Sequence, residues 1–137
     1  MTRDVTGPAV PVGPVLLGVH GTAAEEALRY AFAEADHRGV ELIAVLTGAV
    51  PREDSVRQCD LVQRWAEKYP EVPVTTTVRR GLDPAVVIAA ASHGCGLLVV
   101  QHPADPAAAA VVDALAHRAH CPLVVAGDTT VSSAAAV

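Results

Sequence analysis

The stretch over residues 97–125 constrains the fold most. It runs Leu-Leu-Val-Val, then Gln101-His102-Pro103-Ala104-Asp105-Pro106, then an alanine-rich helical run over 107–119, then Cys121-Pro122-Leu123-Val124-Val125. Two short apolar runs joined through a turn and a helix read as strand, crossover and parallel strand, which points to an open α/β sheet with helices on both faces. In such sheets a phosphate commonly sits on a helix N-terminus just past a strand. Here the turn has two prolines and no glycine. Side chains and fixed φ angles keep backbone amides from closing around a polyphosphate. The scaffold of a nucleotide-binding fold is expected without its phosphate cradle.

The rest of the chain repeats the alternation. Residues 15–19 form an apolar strand ending at His20-Gly21-Thr22, and Thr22 with Glu25 three residues later makes a capping box that opens a helix. Ala24, Ala27, Leu28, Ala31 and Ala35 share one face of that helix, until Gly39 stops it. Residues 42–46 read as a buried strand. A second helix, from about 53 to 68, turns Cys59, Val62, Ala66 and Tyr69 to one side before Pro70 ends it. Val72, Val74, Thr76 and Val78 alternate with Pro73, Thr75, Thr77 and Arg79, a one-sided strand that Pro73 confines to a sheet edge. Asp83 caps a third helix with Pro84 at its first position, and Gly94 ends it. Residues 97–100 and 123–126 are the fourth and fifth strands. Trp65, Phe32, Tyr30 and Tyr69 read as core fillers.

With 137 residues, 51% of them apolar, the chain reads as one domain over 14–127 between flexible tails at 1–13 and 128–137. The first dozen residues lack the basic and apolar regions of a signal peptide, and no apolar run approaches the roughly 20 residues that span a bilayer. Three scattered cysteines suit a reducing compartment, so a cytoplasmic location is expected. A net charge of −5 without a Lys/Arg stripe gives no footprint for nucleic acid.

Val15-Leu-Leu-Gly-Val-His-Gly-Thr22, Gly81-Leu-Asp-Pro-Ala85 and Ala116-His-Arg-Ala-His-Cys-Pro-Leu-Val-Val125, in this order, resemble the universal stress protein family over nearly the whole chain. The resemblance implies a flavodoxin-like α/β sandwich with strand order 3-2-1-4-5, commonly dimeric, in a family where one branch binds ATP and another does not. The ATP-binding branch carries Gly-x-x-Gly after the fourth strand and a Gly-Ser or Gly-Thr pair further on. Aligned from either side, these positions hold Gln101 and Ala109-Ala110, the loop is shorter, and the acidic residue expected after the first strand is His20.

Two clusters are candidates for chemistry. His20, Gln101 and His102 lie past the first and fourth strands, neighbours in the implied order, where they would line a small pocket for a compact polar or anionic ligand. His93, Cys95, His120 and Cys121 precede the fourth and fifth strands and offer soft ligands, but alternating side-chain directions and the ordinary role of buried cysteine as a small hydrophobe argue against a metal. Ser92 lies in no Gly-x-Ser-x-Gly, and acidic pairs such as Glu25-Glu26 stand in first helical turns, so no catalytic residue and no cofactor is expected. Pro122, Leu123, Val124, Val125 and Ala126 are apolar on both faces of what should be an edge strand, which needs a cover. A second copy paired across a two-fold axis would supply it. The expectation is a non-enzymatic homodimer acting in stress response through assembly or protein contacts. The alternative is a module sensing an adenine nucleotide or small anion above strands one and four.

Overall fold

A computed structural model describes residues 13–20, 25–47, 52–79 and 81–127. Its elements are β1 (Val15–His20), α1 (Glu25–Arg38), β2 (Leu42–Thr47), α2 (Arg52–Lys68), β3 (Val74–Arg79), α3 (Pro84–Ala91), β4 (Leu97–Gln101), α4 (Pro106–Arg118) and β5 (Leu123–Ala126). Among the described residues the strands form one parallel sheet in the order β3-β2-β1-β4-β5. The flavodoxin-like order and the edge positions of β3 and β5 agree with expectation. The capping box at Thr22 and the helical position of Ala24 lie outside the described residues, as do residues 1–12 and 128–137 of the expected tails.

The two-residue period of the strands divides the core between the sheet faces. Val15, Leu17 and Val19 of β1 join Leu42, Ala44 and Leu46 of β2 beneath Leu28, Phe32 and Ala35 of α1 and Val62 and Trp65 of α2. On the opposite face Leu16, Val45, Leu98 and Val100 meet Ile88 and Ala89 of α3 and Leu115 of α4. Helix α1 buries Ala27, Leu28, Ala31, Phe32 and Ala35, carries Glu25 and Glu26 in its first turn, and ends before Gly39 at φ +69°. Phe32 stacks on Tyr69 with ring centroids 5.6 Å apart.

Two local expectations are corrected. Tyr30 is exposed, because it stands about 100° round α1 from Ala31 and off its buried stripe. The one-sided pattern of the third strand also fails: Val72 is buried but precedes β3, and Val78 is 42% exposed. Among the described residues β3 has a single neighbouring strand, and of its two apolar side chains Val74 packs against the core while Val78 does not. Pro73 still serves the sheet, since its carbonyl accepts the Leu42 N–H at 2.8 Å.

Candidate functional site

At the carboxyl ends of β1 and β4 lies a cavity of about 240 Å³ that His20, Gln101 and His102 all line. The register that pairs Gly18 with Val100 brings the two strand ends together. Gly18, Val100, Ile88, Val111, Val112 and Leu115 give the cavity an apolar lining. Gly18 lets Ile88 pack close to the sheet, since a Cβ at that position would lie 2.9 Å from Ile88 Cδ1 and the isoleucine would have to shift.

The polar groups of the crevice are largely turned to internal work. Gln101 Oε1 accepts the Ala27 N–H, in the first turn of α1, at 3.1 Å. Asp105 Oδ1 accepts the Ala108 N–H, in the first turn of α4, at 2.8 Å. Helix N-termini leave unpaired amides that attract anions, and here each of the two helices has one such amide engaged by a side chain of the β4–α4 segment. Pro106 removes a further donor from α4. Ala109 and Ala110 fall inside α4, and residues 102–105 alone connect it to β4. His20 Nδ1 is buried without a hydrogen-bond partner among the described residues. Among the described residues no Lys or Arg lines the cavity, and the acidic side chain that does is Asp105.

Sequence reasoning missed the capping roles of Gln101 and Asp105. The second was signalled: Asp105-Pro106 repeats the Asp83-Pro84 dipeptide that opens α3, where Asp83 Oδ1 likewise accepts the Ala85 N–H at 3.0 Å. The first was not, because it joins residues 74 apart in the chain. Gly127 was missed as well. It stands at φ +135°, and a Cβ there would overlap Gln101 Nε2, so the glutamine lies between this glycine and α1.

The second cluster assembles in part at the opposite end of the sheet. The His93 and His120 rings stack with centroids 3.5 Å apart. Burial raises the Cys95 thiol above its ordinary pKa, with smaller contributions from Cys121 and Glu41, and burial alone raises Cys121. Such thiols resist ionisation and bind metal poorly. Among the described residues no three His, Cys, Asp or Glu side chains are grouped as metal ligands. Ser92, which stands in no Gly-x-Ser-x-Gly, is fully buried; its hydroxyl donates to the Ala89 carbonyl at 2.6 Å and accepts the His120 N–H at 2.9 Å. It is a structural tie between α3 and the start of β5.

No protein-family model matches the chain. A universal stress protein of Mycobacterium tuberculosis is 33% identical over 147 residues, covering 90% of this chain and 48% of its own length. The chain belongs to the universal stress protein family. A Mycobacterium bovis universal stress protein matches to the same extent, so the chain spans about half the length of these curated relatives. Solved universal stress proteins share the fold. One from Archaeoglobus fulgidus in complex with dAMP has a TM-score of 0.62 at 20% identity, covering 85% of this chain and 99% of that one. Another, in complex with cAMP, has a TM-score of 0.63 at 16% identity, covering 84% and 98%.

Proposed function

We propose that this universal stress protein domain is a non-enzymatic stress-response module that acts by self-association or protein contacts and does not bind ATP through a phosphate loop. The observation that carries the reading is the engagement of the Ala27 and Ala108 amides by Gln101 and Asp105. A triphosphate would have to displace both side chains, and the short β4–α4 connection has no glycine to replace them. Isothermal titration with ATP and magnesium at ligand concentrations near 1 mM, where a site of about −4 kcal/mol is visible, is expected to give no heat. One-to-one ATP binding would overturn the reading.

A second reading is favoured by the cavity itself: a nucleotide with fewer phosphates seated between β1 and β4, as relatives in complex with dAMP and cAMP suggest. AMP and cyclic AMP in the same titration separate the two, since heat from either without heat from ATP favours nucleotide sensing.

The self-association we propose runs through β5. In the single chain Leu123, Val124 and Val125 are only half-buried, with Val124 turned to one core and Leu123 and Val125 to the other. An edge strand apolar on both faces is covered when its counterpart in a second copy pairs with it across a two-fold axis. Val124→Asp is therefore expected to sediment as a folded monomer while the parent sediments as a dimer. A variant that stays dimeric, or a monomeric parent, excludes this geometry. Three free thiols fit a cytoplasmic site of action. Among the described residues no helix is long and apolar enough to cross a membrane.

A further inference from the structure

We propose that the crevice between β1 and β4 is a site for an uncharged, ring-sized, largely apolar ligand and that it discriminates against anions. This rests on the engaged helix amides of the preceding reading and goes beyond it, because a site closed to phosphate is still a cavity with walls of its own. Ile88, Val111, Val112 and Leu115 come from two helices and Val100 from the sheet, so apolar side chains surround the space on several sides. Its volume of about 240 Å³ lies just below the roughly 300–1,000 Å³ range of drug-sized sites, which suits a compact ligand of one or two rings.

Charge selects the ligand's class. Among the described residues the lining holds no Lys or Arg, and the negative side chain of Asp105 stands at the N-terminus of α4, where an anion would otherwise be drawn. One Asp105 oxygen caps the helix, so the carboxylate is fixed in place rather than free to swing aside. An anionic substituent entering the crevice meets this charge with no cation to offset it. A neutral ring meets apolar surface and the polar edges of His20, Gln101 and His102, with no charge of its own to oppose Asp105. Sequence reading placed a polar or anionic ligand here; the proposal puts a neutral one in its place.

The test uses a matched pair of probes, indole and indole-3-carboxylate, which share a bicyclic ring and differ by one negative charge. Each is titrated into the full chain with methyl chemical shifts of Ile88, Val111 and Val112 as the readout. Indole is expected to shift these methyls and to bind at least tenfold more tightly than the carboxylate. Asp105→Asn, which retains a good capping residue, is expected to narrow that ratio at least threefold by strengthening carboxylate binding. Equal binding of both probes by the parent would overturn the charge discrimination. Absence of any indole shift would overturn the site while leaving the self-association reading intact, and tighter binding of the carboxylate would overturn both this inference and the loss of anion binding. Ala108→Leu, folded by circular dichroism, should abolish the indole shifts; their persistence would place the ligand elsewhere and sink the proposal.

Discussion

Gly127→Ala is expected to destabilise the domain by about 2–4 kcal/mol in urea titration, a large effect for one added methyl group. Two causes combine. Gly127 holds φ +135°, a region that L side chains rarely adopt, and its Cβ would fall onto Gln101 Nε2. Relief of that overlap pushes Gln101 away and strips the acceptor from the Ala27 N–H, so the start of α1 loses a cap. A double-mutant cycle separates the causes. In a Gln101→Ala background the overlap is already gone, so Gly127→Ala should cost about 1 kcal/mol less, the remainder being backbone strain. Strict additivity would show that the two residues do not press on one another and would remove Gln101 from its assigned role.

Phe32→Ala should cost about 3–5 kcal/mol and lower the melting temperature by roughly 10–20 °C. Phe32 is completely buried between α1 and the sheet, and its stack on Tyr69 ties α1 to the segment that follows α2. Truncation leaves a void that neighbours as rigid as Val15, Leu17 and Leu42 fill poorly. Phe32→Leu keeps most of the volume and should cost well under half as much. Similar losses for both substitutions would assign the effect to the aromatic stack rather than to the cavity.

These two residues also mark what the sequence discloses. Phe32 reads as a core filler from its aromatic character alone, whereas the face of α1 that carries Ala27, Leu28, Ala31 and Ala35, the strand runs and the Asp83-Pro84 start of α3 are legible because such signals lie within one element. The family resemblance then supplied the sheet order that periodicity leaves open, and with it the meeting of His20, Gln101 and His102 at one crevice. What those side chains do there was not legible. Gln101 reads as a ligand contact until its carbonyl is seen on the Ala27 amide, a pairing fixed by the approach of β4 to α1 and by nothing local. Tyr30 and Val78 were misplaced for the complementary reason: an aromatic or aliphatic residue lacks any mark of which surface its element leaves uncovered.

The fastening of β5 bears on the rate at which two copies could meet. Its start is held by the Ser92 hydroxyl on the His120 amide and by the stacked imidazoles, and its end by the His102 N–H on the Ala126 carbonyl. A four-residue strand secured at both ends has few torsions left to freeze when another is laid beside it. If two copies pair along this edge as proposed, docking would be a collision of two finished surfaces, governed by encounter and orientation in the range of about 10⁵–10⁷ M⁻¹s⁻¹. Cutting either fastening would return to that encounter the ordering cost that the folded edge has already met.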